Sequence, residues 1–427
     1  MAEMKDSGIE WIGEIPEDWD VIRCKYISTF LNGYAFDSKD LQMDFMYPVI
    51  RIGDIKNGGI DTINCQGVNN NYDIKDYLIK ENDILLAMSG ATVGKVGIAH
   101  NIENAYINQR VGIIRTDCPS YLFYCLSTKE FVEYILLCAN GSAQPNVSAD
   151  VYREFSIPLP PKEIKIKIAD FLDEKCVEID TLHSDIEKQI ETLEKYKKSI
   201  ITEAVTKGLD PDVEMKDSGI ELIGQIPNEW KISRLGWISK KIGDGIHGTV
   251  TFEDGETNFY FINGNNIKKR NIAIKDNTQR ITARIYNTYK TNLTTHTILI
   301  SLNGTIGNLA FYNNENVLLG KSVGFIELKE EYNKEYIYYL LQANYIKTIF
   351  ELSFAGTTIN NLSLQTLRKT NVLLPPKTEQ KKIVKYLDKK CAEIDGAIEE
   401  KKEQLDTLEQ YKKSVIYEYV TGKKEVQ

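Results

Sequence analysis

Two stretches of the chain carry a seven-residue hydrophobic repeat over an unusual length. In the first stretch the apolar positions advance in steps of three and four residues, with a heptad series at Leu172, Ile179, Ile186, Leu193 and Ile200. The second stretch keeps apolar residues in similar steps at Leu387, Ile394, Ile398, Leu405, Leu408 and Val415. This spacing is typical of coiled-coil seams, so we expect these residues to pair two helices.

Each predicted long helix begins just after two prolines, Pro160-Pro161 and Pro375-Pro376, which favour a new helix start. The first helix is predicted over about residues 164–206, and a rise of about 1.5 Å per residue makes it about 65 Å long. The alternative, a lone helix packed on its own domain, offers too little surface to cover so long an apolar stripe. Two such helices in one chain most simply pair with each other. They are expected to pair antiparallel because the chain must return after its second domain.

The segments between the helices show short runs rich in Ile, Val and Tyr, bounded by Gly, Asn and Asp, which predict β-strands. The clearest strands are predicted at 47–52, 83–88, 107–115, 297–302 and 322–328. One helix in each segment is predicted from its apolar spacing, at 121–139 and 335–354. The predicted fold class is therefore α+β, with two pseudo-symmetric, mixed but β-rich domains separated by a two-helix antiparallel coiled coil.

The whole unit of domain plus helix is repeated. Residues 4–21 and 215–232 match at 12 of 18 positions, and 159–208 and 374–423 match at 25 of 50 positions with a constant offset of 215. A period this long indicates duplication rather than a solenoid. The predicted division is 1–158 for the first domain, 159–210 for the first helix, 211–373 for the second domain and 374–427 for the second helix. The domains diverge between these matches, as expected of one framework with two different surfaces.

The charge distribution narrows the possible functions. The net charge is −9, and residues 1–158 carry 13 basic and 22 acidic groups, whereas residues 211–373 carry 18 and 16. Because Lys and Arg supply the affinity for nucleic-acid phosphates, this balance predicts that any nucleic-acid binding by the chain alone is weak and needs a partner that adds contacts to the phosphates. The sequence has no apolar run long enough for a membrane span and no signal-peptide pattern at its acidic start, so we expect a cytoplasmic protein.

No catalytic or metal motif has the context that its chemistry requires. Residues 243–248 match G-x-G-x-x-G but no βαβ unit follows, and Gly320-Lys321-Ser322 lacks the glycine that a phosphate loop needs at Glu315. The seven Cys are scattered, which argues against disulfides and zinc. None of the four His has a suitable Cys or Ser partner. The expectation is a non-catalytic protein without a metal. Tyr336, Tyr338 and Tyr339 are expected in the core rather than as base-stacking platforms.

The ordered, duplicated motifs resemble the specificity subunit of type I restriction–modification systems over nearly the whole chain. They are the I-G-x-I-P-x-x-W segments at 12–19 and 223–230, the L-P-P starts of the long helices, Glu379-Gln380 with Ile383 and Leu387, and the loops 33–36 and 244–249. One departure is that Ile164-Lys165 stands where the second copy has Glu379-Gln380. The two helix starts are therefore expected to contact partners differently.

The resemblance implies that each domain reads one half of a bipartite, asymmetric double-stranded DNA target through the major groove, with the paired helices fixing the spacer. It also implies two adenine-N6 methyltransferase subunits, which carry S-adenosylmethionine, and two restriction–translocase subunits, which use ATP and magnesium. This chain would bind no cofactor itself. The alternatives are a specificity subunit of a methylation-only or other phage-defence system, and a two-module coiled-coil protein that binds something other than DNA.

Residues suited to DNA contact lie in the divergent loops, because Arg, Lys, Asn and Gln read base edges while Lys, Ser and Thr also bind phosphates. In the first domain we select Tyr34, Lys39, Lys56, Asn57, Ser89, Thr92, Lys95, Gln109, Arg110 and Asn146. In the second domain we select His247, Thr249, Asn265, Lys268, Lys269, Asn303, Thr305, Lys321, Thr357 and Asn360. The alternative for any single one is a solvated loop residue or a local turn contact.

Overall fold

A computed structural model of the protein describes residues 3–56, 58–69, 74–102, 104–139, 147–253, 257–354 and 360–426. The chain divides into two compact units, Met1–Glu187 with Lys402–Gln427, and Lys188–Lys401. Each unit therefore joins one β-rich domain to a part of both long helices. In the part of the chain that the structure describes, no helix is long and apolar enough to cross a membrane.

The first unit is built on short strands. Its strands are β1 (Met4–Asp6), β2 (Glu14–Pro16), β3 (Asp20–Arg23), β4 (Ser28–Asn32), β5 (Tyr47–Ile50), β6 (Ile55–Lys56), β7 (Gly59–Ile60), β8 (Gln66–Val68), β9 (Ile84–Ala87), β10 (Val96–Ile98), β11 (Tyr106–Ile107), β12 (Val111–Thr116) and β13 (Ser156–Leu159). Its helices are α1 (Pro119–Leu126), α2 (Lys129–Cys138), α3 (Ala149–Glu154) and the beginning of α4 (Lys162–Lys207).

The second unit repeats this plan. Its strands are β14 (Met215–Asp217), β15 (Gln225–Pro227), β16 (Lys231–Arg234), β17 (Ser239–Asp244), β18 (Tyr260–Ile262), β19 (Ile267–Lys268), β20 (Asn271–Ile272), β21 (Thr297–Ser301), β22 (Leu309–Phe311), β23 (Val317–Leu319), β24 (Val323–Leu328) and β25 (Asn371–Leu374). Its helices are α5 (Leu235–Ile238), α6 (Ala283–Tyr289), α7 (Lys334–Leu340), α8 (Asn344–Phe354), α9 (Leu364–Lys369) and the beginning of α10 (Lys377–Val420).

The two main sheets have the same strand order. The antiparallel sheet of the first unit runs β4-β12-β9-β10, and that of the second runs β17-β24-β21-β22. A parallel pairing recurs as well, β11 with β5 and β18 with β23. The predicted strands are present, except that the run predicted at 107–115 is two strands separated by a turn. The α+β fold class with two β-rich domains is confirmed.

The predicted helix at 121–139 is in fact two helices, α1 and α2, and the one predicted at 335–354 is likewise divided into α7 and α8. The break in the first domain falls at Thr128, whose hydroxyl donates to the carbonyl of Cys125 at 2.8 Å and accepts from the amide of Phe131. Thr128 thus caps α2 instead of continuing α1. The uninterrupted prediction was wrong because apolar residues on both sides of the break face one core. The prediction that Tyr336, Tyr338 and Tyr339 are core residues is confirmed.

The long helices α4 and α10 pack together within each unit. In the first unit the rings of Phe171 and Tyr419 lie 4.4 Å apart, and further along α4 the Nζ of Lys412 lies 2.7 Å from Asp180. Residue numbers rise along α4 as they fall along α10, so the pairing is antiparallel, as predicted. In the second unit Gln189 contacts Lys401, and further along α4 Lys197 contacts Asp395. The two helices are therefore antiparallel in this unit as well.

The predicted pairing residues form the seam, but their burial differs along it. Those that belong to a domain core are buried, namely Leu172, Ile200, Leu387, Ile394, Ile398 and Val415, and Ile179 is buried as well. Those in the middle stretch are half-buried, namely Ile186, Leu193, Leu405 and Leu408. The helix ends are therefore parts of the domain cores, and the middle relies on a narrow apolar stripe.

The repeated segments 4–21 and 215–232 cover the ends of the long helices. Gly422 follows α10 with φ +70° and Gly208 follows α4 with φ +79°, the left-handed conformation that ends helices at glycine. Trp19 lies against Gly422, and Trp230 lies against Gly208. Trp230 also donates its indole N–H to the Glu379 carboxylate at 3.0 Å. This packing explains why the tryptophan-bearing segments are kept alike in both copies.

Candidate functional site

Several loops of the first domain meet at one end of its main sheet, and we call residues 33–34, 51–54, 88–92, 108–110 and Val147 the first loop cluster. The amide of Tyr34 donates to the carbonyl of Ile107, and the amide of Met88 donates to that of Arg110 at 2.9 Å. Val147 in turn donates its amide to Met88 at 2.9 Å. Backbone hydrogen bonds thus hold loops that are far apart in the sequence in one cluster.

Gly33 allows the loop that follows β4 to approach the turn between β11 and β12. A Cβ at this position would lie 2.0 Å from the carbonyl oxygen of Asn108, a distance that no side chain could tolerate. The turn itself is closed by the amide of Val111, which donates to Asn108 at 2.8 Å. Gln109 and Arg110 occupy its middle and are exposed.

The second domain builds the same arrangement, and we call residues 245–247, 263–266, 302–305, 320–322 and 360–362 the second loop cluster. Gly245 replaces Gly33, since a Cβ there would lie 2.1 Å from the carbonyl oxygen of Leu319. The amide of Leu302 donates to the carbonyl of Ser322, and Leu362 donates to Leu302. These bonds correspond one by one to those of Met88 and Val147.

Side chains at equivalent places of the two clusters differ. The exposed pair Gln109-Arg110 of the first turn corresponds to Lys321-Ser322 of the second, where Ser322 is buried. Ser89, which follows β9, corresponds to Asn303, which follows β21. The framework is therefore shared, whereas the hydrogen-bonding groups that it presents are not.

The first loop cluster contains Tyr34, Ser89, Thr92, Gln109 and Arg110 of the predicted contact residues. Tyr34 is half-buried, with its ring packed edge-on against Phe36 and Tyr77. The Ser89 hydroxyl has no hydrogen-bond partner in the described part of the chain although it is buried. An orphaned hydroxyl in this place is suited to a ligand that brings its own polar group.

The second loop cluster contains His247, Asn265, Asn303, Thr305, Lys321 and Asn360 of the predicted contact residues. His247 lies next to Ile246, which pairs with Gly320, and its Nε2 is 2.7 Å from the Asp244 carboxylate. Asn265 is exposed on a short 3-10 turn, Gly264–Asn266. Beside this turn lies a cavity of about 540 Å³ with a largely polar lining, formed by Phe261, Asn263, Asn265, Asn266, Lys268, Ala273, Lys275, Asn277, Thr278 and Gln279.

Sequence reasoning did not select the residues that hold Asn265 in place. The Ser322 hydroxyl donates to the side-chain oxygen of Asn263 at 3.1 Å and accepts from the amide of Gly264 at 2.9 Å. Asn263 and Asn266 further close the turn through their side chains. The run of Asn and Gly directly after the apolar strand β18 is the signal that could have indicated this turn.

Other predicted contact residues lie elsewhere. Lys39 and Thr249 are exposed in loops, and Lys56 pairs with Asp61 at 2.7 Å. The Lys56 ammonium lowers the pKa of Asp61 to about 2 by hydrogen bonding to it. Lys95 lines a cavity beside α4 and α10, and Lys269 lines the equivalent cavity of the second unit. Asn57, Asn146 and Thr357 lie outside the described residues.

Among the described residues, no group of three or more His, Cys, Asp or Glu could hold a metal ion. The buried thiols of Cys24 and Cys125 have pKa values raised well above the ordinary range by burial, and Cys24 reaches about 12. These thiols are small core groups rather than nucleophiles.

Known proteins resemble this chain over both segments that contain the loop clusters. A family profile described as the type I restriction modification DNA specificity domain matches residues 16–192 and 227–410. The type I restriction enzyme MjaVIII specificity subunit of Methanocaldococcus jannaschii is 26% identical over 96% of this chain and 93% of its own length. The StySPI specificity subunit of Salmonella potsdam is 24% identical over 90% and 84%.

A solved structure extends the likeness to the fold. A chain from work on the structural basis underlying complex assembly and conformational transition of the type I R-M system has a TM-score of 0.67 with this protein. The alignment covers 95% of this chain and 98% of the other at 15% sequence identity. The fold is therefore shared with that chain.

Proposed function

The chain belongs to the type I restriction–modification specificity subunits, and from this premise we propose that its two domains read the two halves of a bipartite, asymmetric DNA target. Specificity subunits of this family are non-catalytic, so the role of this chain is recognition and assembly. The proposal assigns the first half-site to the first loop cluster and the second half-site to the second loop cluster.

The observation that supports this assignment is the pair of equivalent backbone frameworks that present different side chains. Arg110 and Gln109 offer paired donors and acceptors suited to guanine and adenine edges, whereas the second cluster offers Lys321, Asn265 and Asn303. A symmetric protein with identical loops would read a symmetric target. Two different sets of side chains, presented by the same backbone framework, suit an asymmetric target.

We assign part of the binding free energy to partner subunits. The first domain is acidic, with 13 basic and 22 acidic groups in residues 1–158, so its own attraction to phosphates is weak. Two methyltransferase subunits that carry S-adenosylmethionine would dock on the paired helices and add phosphate contacts. Two restriction–translocase subunits, with ATP and magnesium, would complete the complex in the cytoplasm. The paired helices would set the number of base pairs between the half-sites.

The test is co-expression of this chain with a candidate methyltransferase subunit, followed by genome-wide mapping of methylated adenine. A bipartite motif that appears only in the presence of this chain supports the proposal. Unchanged methylation despite a stable complex of the two proteins would overturn it. An Arg110→Ala variant and a matched Arg153→Ala control separate recognition by the loop from general loss of charge, because Arg153 is exposed on α3 and pairs with Asp150.

A further inference from the structure

Arg270 and Gly58 occupy equivalent turns in the two units. Arg270 lies between β19 and β20 with φ +73°, and Gly58 lies between β6 and β7 with φ +76°. Both hairpins pack on the side of their domain that faces the long helices of the same unit. Lys269, with φ +36°, and Arg270 are the two central residues of this hairpin, and a two-residue hairpin turn requires a positive φ at both positions.

The contacts of the Arg270 side chain form a binding site for a guanidinium group, in which the buried Arg270 Nε has no hydrogen-bond partner among the described residues. Arg270 donates to the Asp388 carboxylate of α10 at 2.7 Å, and the same carboxylate oxygen accepts from the Tyr339 hydroxyl at 2.7 Å. The guanidinium lies 5.1 Å from the ring centres of both Tyr338 and Tyr339 and 5.7 Å from that of Phe311. A cation placed over aromatic rings and paired with a carboxylate is well stabilised.

The first unit keeps the tyrosine, the carboxylate and one neighbouring aromatic ring of this site, and it has no side chain at Gly58 to fill it. Tyr124 and Asp173 correspond to Tyr339 and Asp388 at the repeat offset, and the Tyr124 hydroxyl donates to Asp173 at 2.7 Å, as in the second unit. Phe123 replaces Tyr338, and a Cβ on Gly58 would lie 3.0 Å from its ring. The site opens into a cavity of about 660 Å³, compared with about 300 Å³ beside Arg270.

Nearby cations of the first unit have other partners. Lys412 pairs with Asp180, Lys413 with Glu409 and His100 with Glu81. Lys95 lines the cavity and is exposed to solvent, and in the described residues the Tyr124 hydroxyl is the donor to Asp173. The rim also includes Val177, an α4 side chain that is 66% exposed. The cavity thus combines aromatic rings, a carboxylate with free acceptor capacity and an apolar rim.

We propose that the cavity bounded by Gly58, Phe123, Tyr124 and Asp173 binds an arginine side chain of a partner polypeptide. The incoming guanidinium takes the place that Arg270 fills from within the chain in the second unit. A polypeptide is the source because the site is open to solvent beside an exposed apolar side chain, which provides contact for residues that flank the arginine. The site lies among the long helices rather than in either loop cluster, so the proposal does not depend on DNA binding.

The test uses the full chain with 4-fluorophenylalanine at position 123 and follows its ¹⁹F resonance. The probe is the blocked tripeptide acetyl-Gly-Arg-Gly-amide, with the lysine and citrulline tripeptides and methylguanidine as comparisons. The arginine tripeptide is expected to shift the resonance saturably. Asp173→Asn should weaken this binding by about tenfold, since a charge-assisted hydrogen bond is lost. Glu174→Gln, an exposed neighbour on α4, is the matched control and should leave binding unchanged.

Gly58→Arg supplies the guanidinium from within the chain. In this variant the resonance without peptide is expected near the position that the tripeptide produces in the parent protein, and added tripeptide should have no effect. Equal shifts by the lysine or citrulline tripeptides, no shift with the arginine tripeptide, or binding that survives Asp173→Asn would each overturn the proposal. Methylguanidine binding as tightly as the tripeptide would overturn the polypeptide source. The Asp173→Asn comparison remains decisive if Gly58→Arg fails to fold.

Discussion

Asp180 on α4 accepts hydrogen bonds from the Nζ of Lys412 on α10 at 2.7 and 2.8 Å. At the repeat offset of 215, Asp180 corresponds to Asp395 and Lys412 corresponds to Lys197. Asp395 and Lys197 also form an ion pair, with 2.5 Å between Nζ and the carboxylate. Each unit thus uses one copy's aspartate and the other copy's lysine. The duplication has therefore preserved the contact between the copies and not only the sequence within each copy.

We predict that the Asp180–Lys412 ion pair stabilises the register of α4 against α10 by a modest free energy. The two side chains are 57% and 28% exposed, so a double-mutant cycle with Asp180→Asn and Lys412→Met should give a coupling of about 0.2–1 kcal/mol in the free energy of unfolding. The coupling should fall at high salt because exposed pairs are screened. Chemical denaturation measures it. A salt-independent coupling would contradict an electrostatic origin.

Truncation of Leu172 is predicted to destabilise the first unit strongly. This residue is fully buried where α4 packs into the core of the first domain, so Leu172→Ala should cost about 2–5 kcal/mol in the free energy of unfolding. Leu182→Ala is the control on the same helix, since Leu182 is 47% exposed. Hydrogen exchange can locate the loss. Equal destabilisation by both variants would show that α4 is held by its heptad stripe alone.

The sequence is sufficient to predict the repeated organisation because its signals are local. Short runs rich in Ile, Val and Tyr predict the strands, and heptad spacing with paired prolines predicts the long helices. Helix α4 is observed at Lys162–Lys207 against a prediction of 164–206. Where a polar residue caps a new helix inside an apolar run, as Thr128 does, the periodicity continues across the break and hides it. Apolar spacing reports which face is buried, and that face is the same for α1 and α2.

The sites are less predictable because they depend on contacts between distant residues. The backbone hydrogen bond from Met88 to Arg110 brings Ser89 and Arg110 together. The positions of Ser89 and Arg110 in the sequence do not indicate this hydrogen bond. Lys56 has the charge expected of a phosphate contact, but it is paired with Asp61. The sequence gives no signal for the site of Arg270, since its partner Asp388 is 118 residues away. Residue type indicates possible chemistry, and the fold decides which groups share a surface.

The stability of the second unit is predicted to respond to the charge of Glu379. Burial raises the pKa of this carboxyl, although the Trp230 N–H bond opposes the shift. Because the pKa of Glu379 is higher in the folded state than in the unfolded chain, protonation of this carboxyl favours the fold. The ionised carboxylate therefore lowers the free energy of unfolding at pH values above the folded-state pKa. Glu379→Gln should therefore raise the melting temperature at pH 7–8, and the difference should shrink as the pH falls through the carboxyl range.

Thermal unfolding of Glu379→Gln at several pH values, beside Glu400→Gln, provides the measurement. Glu400 is exposed on the same helix, so its substitution should leave the pH profile of the melting temperature unchanged. The side-chain amide introduced by Glu379→Gln can still accept the hydrogen bond from Trp230, and the comparison therefore isolates the charge. A lower melting temperature of Glu379→Gln at pH 8 would contradict the prediction.

Substitutions in the two loop clusters are predicted to affect different halves of the target. Arg110→Ala should relax or abolish recognition of one half-site while the other half stays specified, and Lys321→Ala should do the converse. A lost base contact is expected to cost about 1–3 kcal/mol in discrimination, whereas a lost phosphate contact weakens binding to all sequences and lowers the salt dependence. Mapping of methylated adenine with each variant distinguishes these cases.

The controls for these substitutions are Arg153→Ala and Lys240→Ala, which remove a positive charge outside the clusters. Arg153 pairs with Asp150 and Lys240 pairs with Glu330, both at the surface. The controls should leave the methylated motif intact. Relaxation of both half-sites by Arg110→Ala alone would contradict the assignment of one domain to one half.

Lengthening both long helices is predicted to lengthen the spacer of the DNA target. One heptad is inserted between Glu187 and Lys188, and another between Lys401 and Lys402. Both insertions lie at the boundaries between the compact units, so the contacts inside each unit are kept. Seven residues add about 10 Å along a helix, which corresponds to about three base pairs of B-DNA. The methylated motif should keep its two half-sites and gain spacer. A heptad in α4 alone puts the seam out of register and should abolish methylation, whereas an unchanged spacer with both heptads would contradict a measuring role of the helices.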